Sequence, residues 1–186
     1  MDEQRLSRYL SMLLRHKPES IGLKMDAAGW VDVDELIEKV QKTGKYKIDR
    51  CTLEHIVETD NKSRYRFNDT KTRVKACQGH SIPWVVPELE YKTPPEFLYH
   101  GTTNQALQLI LKSGHIDKMK RHAVHMQADV SKAWQSAKRW NQTPVVLKID
   151  AAKMHEDGLV FGVSENNVWC VESVPKEYIC ECLYTE

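Results

Sequence analysis

Residues 49–76 read DRCTLEHIVETDNKSRYRFNDTKTRVKA, and this stretch decides the fold of the first half of the chain. Asp49 is suited to cap a helix, and the apolar residues that follow it recur at helical spacing over Arg50–Glu58. Apolar and polar residues then alternate over residues 64–67 and 72–76, on either side of an Asn-Asp turn. This alternation predicts a β-hairpin directly after the helix.

Two further helices are predicted before this stretch. The first covers residues 3–15, where leucines share one face, and Pro18 ends it because the residue before a proline avoids the α region. Asp32 or Asp34 caps the second helix, which runs to residue 40. Three helices followed by a hairpin describe a winged helix, a module that commonly binds nucleic acid.

The second half of the chain follows a proline-rich linker at residues 83–95. Thr103 or Asn104 is expected to cap a helix that Gly114 closes. Its predicted inward face holds Leu107, Ile110 and Leu111. A further helix is predicted over residues 131–140. Short strands are predicted at residues 97–100, 123–126, 144–149, 168–171 and 178–183.

Short strands with few helices between them favour a split α/β sheet over a doubly wound parallel sheet. We therefore predict an α+β protein of two lobes. The winged helix occupies residues 1–82, and the second lobe occupies residues 96–186.

Composition limits the class of protein and its location. The chain has 186 residues, 41% of them hydrophobic and 28% charged, which excludes a disordered chain or a fibrous rod. No apolar run reaches the ~18 residues that a membrane span needs.

The five cysteines and an N-terminus without an apolar signal core favour free thiols in a reducing cytosol. We expect a cytoplasmic monomer (nuclear in a eukaryote is the alternative) and no membrane partner. Cys180-x-Cys182 lacks the second pair that a zinc site needs.

Positive charge is concentrated on the predicted hairpin, although the net charge is only +1. Residues 62–75 contain a single acid, Asp69, and six cations: Lys62, Arg64, Arg66, Lys71, Arg73 and Lys75. Such a stripe indicates a phosphate partner, or a solvated strand edge that charge protects from pairing. The sequence alone leaves both interpretations open.

Several polar segments lie at positions where they contribute little to the stability of the fold. Leu14-Arg15-His16-Lys17-Pro18 places three basic groups at one helix end, where a single cation would satisfy the helix dipole, and so suggests an anion. Tyr99-His100-Gly101-Thr102 lies at a strand end before a helix, where backbone amides can meet phosphate. Arg121, Ala123 and His125 are expected to share one face of a strand. Phosphate-loop, dinucleotide-fingerprint and nucleophile-elbow motifs do not occur in the sequence.

In this order and at these gaps, the segments resemble the RNA 2′-phosphotransferase family over nearly the whole chain. The matching segments are Leu-Arg15-His16-Lys-Pro, Asp-x-Lys-x-Arg64-Tyr, Lys75-Ala-x-Gln78-Gly79-His80-Ser81, Lys-Thr-Pro-Pro-x-Phe-Leu-Tyr-His100-Gly101-Thr102, Arg121-x-x-Val-His125, Pro-Val-Val-Leu and Val168-Trp169.

The resemblance implies an N-terminal winged helix that holds RNA and a C-terminal lobe that resembles ADP-ribosyltransferases and binds NAD. It implies two steps. The RNA 2′-phosphate first attacks C1″ of the nicotinamide riboside and expels nicotinamide, and O2″ of that ribose then attacks the phosphorus. The products are RNA with a 2′-OH and ADP-ribose 1″,2″-cyclic phosphate. NAD is thus a consumed co-substrate, and the resemblance implies no metal.

Four residues match the catalytic set of the family: Arg15, His16, Arg64 and Arg121. The resemblance implies that Arg15 and Arg64 hold the 2′-phosphate, since arginine keeps its charge and forks onto phosphate oxygens. It places Arg121 at the phosphate and the nicotinamide-side ribose, chiefly for the second step. His16 is expected to orient the phosphate or to transfer a proton in that step. Because these residues come from both lobes, we expect the active site in the cleft between them.

Further matches implicate His100, Gly101, Thr102 and His125 in binding NAD, with a hydrogen-bonded core histidine as the structural alternative for His125. Two other matches to the family pattern, Lys75 and His80, imply contacts with RNA. The sequence also departs from the family pattern. Lys75 stands where arginine is common, and Asn167 stands where glycine is usual, which is tolerable because asparagine accepts a left-handed conformation.

Three other functions compete with this expectation. A related ADP-ribosyltransferase would stop after the first step and cap a terminal phosphate of RNA or DNA. A winged-helix binder with a decayed second lobe would contact phosphates without turning over NAD. A metal-dependent phosphatase is disfavoured because the sequence lacks clustered carboxylates. The expected partner is a 2′-phosphorylated RNA, and spliced tRNA is one candidate.

Overall fold

The computed structural model describes residues 3–185 and divides the chain into two compact units, Met1–Glu88 and Leu89–Glu186. The boundary falls within the predicted linker at residues 83–95. Each unit has its own hydrophobic core. Among the described residues, no helix is both long enough and apolar enough to cross a membrane.

Three helices form most of the first unit. They are α1 (Glu3–Arg15), α2 (Val33–Lys42) and α3 (Arg50–Glu58). Asp32, rather than Asp34, caps α2 by accepting a hydrogen bond from the Glu35 amide at 2.9 Å. Asp49 caps α3 in the same way, as predicted. Pro18 lies beyond the end of α1 and begins a single 3-10 turn.

The predicted hairpin is present and pairs with a third strand. The strands β1 (Val31–Asp32), β2 (Tyr65–Phe67) and β3 (Arg73–Ala76) form an antiparallel sheet in the order β1-β3-β2. The Tyr65 hydroxyl donates a hydrogen bond to the Ser7 carbonyl of α1 at 2.6 Å. This contact joins the hairpin to the helix, beside a core that includes Leu6, Leu10, Leu13 and Leu14. The residues at the base of the hairpin are thereby held against α1.

The second unit is built from short antiparallel strands. They are β4 (Glu90–Tyr91), β5 (Phe97–Thr103), β6 (His115–Asp117), β7 (Val124–Met126), β8 (Pro144–Asp150), β9 (Gly162–Val163), β10 (Trp169–Val171), β11 (Ser173–Pro175) and β12 (Ile179–Tyr184). They form sheets in the orders β12-β8-β5 and β4-β9-β10-β7, and a separate β11-β6 pair. Tyr99 and Gln127 exchange backbone hydrogen bonds of 2.8 and 2.9 Å, which brings β5 beside the end of β7.

Three helices accompany these strands: α4 (Asn104–Ser113), α5 (Val130–Ala137) and α6 (Ala151–Glu156). Thr103, rather than Asn104, caps α4, and Gly114 closes it as predicted. The inward placement of Leu111 is wrong, because this side chain is 46% exposed. The helix packs through Leu107 and Ile110, and Leu111 lies about 100° further round the axis than Ile110, beyond that stripe.

The boundaries of other elements differ from the predictions. The helix predicted over residues 131–140 stops at Ala137, and residues 138–143 are all exposed, so a longer helix would bury no further apolar side chain. β7 begins at Val124, and Arg121 precedes it in a segment of turns. The strand alternation expected for Arg121, Ala123 and His125 therefore does not apply. The elements that were not predicted from the sequence are β4, β6, β9, β11 and α6, and each is only two to six residues long.

Gly101 permits α5 to lie directly on β5. A Cβ atom at this position would lie 2.1 Å from the carbonyl oxygen of Ala133 and 2.9 Å from the amide nitrogen of Ala137. Backbone atoms cannot give way as the end of a flexible side chain can. The missing side chain at Gly101 thus serves the packing of α5, and this packing fixes the course of the strand that carries His100.

Candidate functional site

The end of α1 places Arg15 and His16 beside the segment that follows β3. The Ser81 amide donates a hydrogen bond to the Arg15 carbonyl at 2.9 Å, and Ser81 Oγ shares a hydrogen bond of 2.8 Å with His16 Nδ1. Gly79 has a φ of +87°, and a Cβ atom there would lie 3.7 Å from the Arg15 guanidinium. A left-handed glycine thus lets the chain pass close to that side chain.

Arg64 is held by a carboxylate just before it in the chain. Asp60 Oδ1 accepts a hydrogen bond from Arg64 Nε at 2.9 Å and another from Nη2. The Asp60 side chain is 2% exposed, whereas that of Arg64 is 29% exposed. Burial raises the pKa of Asp60, but the hydrogen bonds and charge of Arg64 outweigh this effect and lower it below its ordinary value. The hydrogen bond from Arg64 to Asp60 in turn raises the pKa of Arg64.

A five-residue segment joins these two places. At its start, the Cys77 amide donates a hydrogen bond of 2.8 Å to the Arg64 carbonyl. At its end, Ser81 contacts both Arg15 and His16. The structure therefore brings three of the four predicted catalytic residues to residues 77–81, within the first unit. We call this segment the bridging segment.

The two predicted RNA contacts lie in the interior. His80 is 1% exposed and packs against the turn at Gly29, where a Cβ atom would lie 2.9 Å from His80 Nε2. Lys75 is 2% exposed, its ammonium 2.5 Å from Glu88 Oε2 and 4.8 Å from the centroid of the Trp30 ring. An RNA contact at either residue stays a prediction, and in this structure Lys75 and His80 contribute to the packing of the first unit.

In the second unit, His100 and His125 are adjacent. His100 Nδ1 donates a hydrogen bond of 2.9 Å to the His125 carbonyl. Burial lowers the pKa of His100, the hydrogen bond opposes this effect, and the positive charge of Arg121 lowers the pKa further. The His100 imidazole is therefore neutral at neutral pH, with Nδ1 protonated and Nε2 able to accept a hydrogen bond.

Arg121 lies near enough to His100 to influence its titration. It sits in the turn before β7, where the Asp117 carboxylate accepts a hydrogen bond of 2.8 Å from the Met119 amide and Met119 has a φ of +56°. Surrounding protein lowers the pKa of Arg121, but an arginine stays charged at physiological pH. The fourth predicted catalytic residue thus shares the second unit with the predicted NAD contacts.

Other polar groups of the second unit have clear structural roles. Thr102 is 8% exposed and pairs with Val145 across β8. Asn167 adopts a φ of +59°, the left-handed conformation that the sequence predicts it tolerates. Burial raises the pKa of the Cys170 thiol to about 12, so this thiol is not a nucleophile near neutral pH. Within residues 3–185, no three His, Cys, Asp or Glu side chains gather as a metal site requires.

Sequence reasoning assigned no role to Asp60 or Ser81. Both lie inside segments quoted for the resemblance, four residues before Arg64 and one residue after His80. A carboxylate close in sequence to a predicted phosphate-binding arginine was the available signal for Asp60. The pairing of Ser81 with His16 joins residues 65 positions apart, and no local pattern reveals it.

Comparison with known proteins agrees with these observations. A family model described as RNA 2′-phosphotransferase, Tpt1 / KptA family, matches residues 1–173. Relatives named "Probable RNA 2′-phosphotransferase" are similar over nearly their full lengths. The one from Fusobacterium nucleatum is 45% identical over 178 residues, which cover 96% of this chain and 98% of the relative. The one from Burkholderia lata is 42% identical (97% and 91% covered), and the one from Nostoc punctiforme is 44% identical (94% of each covered).

Replacing Asp60 with asparagine tests whether the Asp60 carboxylate holds Arg64. Because the pKa of Asp60 is lowered in the folded state, its stabilising effect is present above the unfolded value near ~3.9 and is lost as pH falls through the folded value. At neutral pH, Asp60→Asn should lower the free energy of unfolding by about 1.5–3 kcal/mol. Below about pH 4 its stability should fall less steeply than that of the wild type.

Urea unfolding at a series of pH values measures both effects. Asp69→Asn, at an exposed position in the hairpin turn, is the matched control, because it removes a carboxylate of the hairpin and leaves the Asp60–Arg64 pair intact. Equal slopes for Asp60→Asn and the wild type would show that Asp60 does not stabilise the fold through Arg64.

Proposed function

Because the chain belongs to the RNA 2′-phosphotransferase family described as Tpt1 / KptA, we propose that it removes an internal 2′-phosphate from RNA and transfers it to NAD. The observation that carries this proposal is the grouping of Arg15, His16 and Arg64 at the bridging segment. The main chain of both arginines and the His16 imidazole contact this one short segment, and arginine binds a phosphate dianion with paired hydrogen bonds.

The second unit is proposed to hold NAD. A neutral His100 whose Nε2 accepts a hydrogen bond suits a ribose hydroxyl, and Arg121 beside it suits the ribose on the nicotinamide side. When bound, NAD supplies the electrophilic C1″ of its nicotinamide-bearing ribose and the adjacent O2″, so that the products are 2′-OH RNA, nicotinamide and ADP-ribose 1″,2″-cyclic phosphate. Gly101, Thr102 and His125 support this unit from β5 and β7.

Each catalytic residue has a proposed task. Arg15 and Arg64 bind the 2′-phosphate, neutralise its charge and orient one of its oxygens toward the acceptor carbon. Arg121 contacts the phosphate and the adjacent ribose as the phosphoryl group leaves the RNA. His16, whose ring Ser81 orients, either steers the phosphate or moves a proton during this second step.

We propose that the folds of the two units fit these two tasks, RNA binding in the first unit and NAD binding in the second. Three helices and a three-stranded sheet with a hairpin suit a winged helix that binds RNA. The short antiparallel sheets of the second unit suit an ADP-ribosyltransferase-like domain. We further propose that the protein is a cytoplasmic monomer, that the reaction needs no metal ion, and that spliced tRNA is a candidate substrate.

The direct test is incubation of the purified protein with a 2′-phosphorylated oligoribonucleotide, with and without NAD and with and without a chelator. We expect 2′-OH RNA and ADP-ribose 1″,2″-cyclic phosphate only when NAD is present, in equal amounts and unaffected by the chelator. An oligonucleotide with only a terminal phosphate is the control substrate. Release of inorganic phosphate without NAD, or modification of the terminal phosphate alone, would contradict the proposal.

Separate measurement of the two products tests the task of Arg121. In Arg121→Ala, formation of 2′-OH RNA should fall more than release of nicotinamide, because Arg121 acts mainly in the second step. Loss of one preorganised charged contact should cost about 2–4 kcal/mol, a rate reduction of about 30- to 900-fold. Arg64→Ala, in contrast, should reduce both products equally in a single-turnover assay. An equal loss of both products in Arg121→Ala would show that its role in the second step is wrong.

A further inference from the structure

The cations of the hairpin are mostly neutralised by carboxylates. At least five of the six lie within ion-pair distance of an acid, in the pairs Arg64–Asp60, Arg66–Glu88, Lys71–Glu54, Arg73–Asp26 and Lys75–Glu88. Lys71 also reaches Glu58. A stripe that is positive in the sequence therefore has little net charge to attract a polyanion.

Other cations of the first unit are not paired in this way. Among residues 3–185, no ion pair within 4.0 Å joins a carboxylate to the side chain of Arg8, Lys17, Lys24, Lys45 or Lys47. Arg8 lies on α1, and Lys17 follows it. Lys45 and Lys47 lie in the exposed loop between α2 and α3. The positive charge of the unit is therefore concentrated near α1 and this loop rather than on the hairpin.

The loop between α2 and α3 is fixed against α1. The Tyr46 ring stacks on Tyr9 of α1, with centroids 5.0 Å apart and an interplanar angle of 30°. Gln41 Nε2 donates a hydrogen bond of 2.6 Å to the carbonyl of Ile48, whose side chain is buried. Lys45 and Lys47 flank the stacked tyrosine and are exposed. We call residues 45–47 the lysine loop.

The lysine loop contacts α1 at Tyr9, and the bridging segment contacts the end of α1 at Arg15 and the next residue, His16. Arg8, beside Tyr9, and Arg15 are seven residues apart, close to two helical turns, so they share one side of α1. Met12 lies between them and is half-buried. Two turns span about 10 Å, the length of about three stacked nucleotides at ~3.4 Å each.

We infer that the RNA strand flanking the 2′-phosphate runs along this side of α1 to the lysine loop, where Lys45, Lys47 and Arg8 bind its phosphodiester groups. The inference rests on the proposed function for the identity of the polyanion, and it places the RNA backbone along α1 rather than on the cationic hairpin. The nearest acids of the loop are already engaged, since Glu38 pairs with Lys42 and Asp49 caps α3. Contacts to phosphates carry no sequence information, so binding along this path is independent of base sequence.

The double variant Lys45→Ala/Lys47→Ala tests this path. Its matched control is Lys24→Ala/Lys71→Ala, which removes the same charge from an unpaired lysine elsewhere and from a paired hairpin lysine. The probe is unmodified single-stranded RNA of about 20 nucleotides, and its dissociation constant is measured without NAD between about 50 and 200 mM salt.

Loss of two phosphate contacts should reduce the slope of log K against log salt by about 1.4 and weaken binding about 20-fold near 0.1 M salt. In the control variant, both the change in slope and the loss of affinity should be much smaller. An unchanged slope in the lysine-loop variant, or an equal loss in the control, would overturn the inference. Circular dichroism of both variants verifies that they fold.

Turnover of 2′-phosphorylated RNA by the wild type, measured in parallel, separates this inference from the proposed function. A wild type that binds RNA through the lysine loop but does not use NAD would contradict the proposed function alone. A wild type that uses NAD, with a lysine-loop variant that binds like it, would contradict only the path along α1.

Discussion

The candidate site of the first unit depends on two backbone hydrogen bonds made by one short segment. The Cys77 and Ser81 amides donate to the carbonyls of Arg64 and Arg15, so the main chain holds both arginines in register with residues 77–81. Main-chain contacts of this kind do not depend on which side chain stands at position 77 or 81. They leave the guanidinium groups to be oriented by other groups, chiefly by Asp60 in the case of Arg64.

Carboxylates determine what the many cations of this unit can do. Asp60 fixes the position of the Arg64 guanidinium, which lowers the entropy cost of the phosphate contact that we propose for it. Glu88 and Trp30 instead hold Lys75 in the interior, where its charge contributes to packing. Apart from Lys24, the cations whose side chains lack such partners lie near α1 and in the lysine loop. Ion pairing thus separates the cations of this unit into three groups. Arg64 is held in place by Asp60, Lys75 is buried, and the cations near α1 and in the lysine loop stay exposed.

Local signals in the sequence predicted most of the elements but not their surroundings. The caps Asp49 and Thr103 and the hairpin over residues 64–76 were predictable because each depends on residues close in the chain. The burial of Lys75 was not, because β3 is the central strand of its sheet and Val74, Lys75 and Ala76 are all buried. Strand alternation assumes one exposed face, and here both faces are covered.

Long-range pairing limits the prediction of the site in the same way. The resemblance supplied Arg15, His16, Arg64 and Arg121 from short motifs, whereas the contact between His16 and Ser81 depends on the complete fold of the first unit. In the second unit, Gly101 illustrates a related limit. The sequence suggests close approach of a ligand, and the structure shows close approach of α5.

We propose above all that Arg15 and Arg64 act together on one phosphate. The most direct measurement is ³¹P NMR of a 2′-phosphorylated oligoribonucleotide bound to the protein without NAD, recorded as a function of pH. Two guanidinium groups favour the dianion, so the second pKa of the bound phosphate should fall clearly below its ordinary value near ~6, and it should recover in part in Arg15→Ala and in Arg64→Ala. A bound phosphate whose pKa equals that of free RNA, in the wild type and both variants alike, would contradict the account.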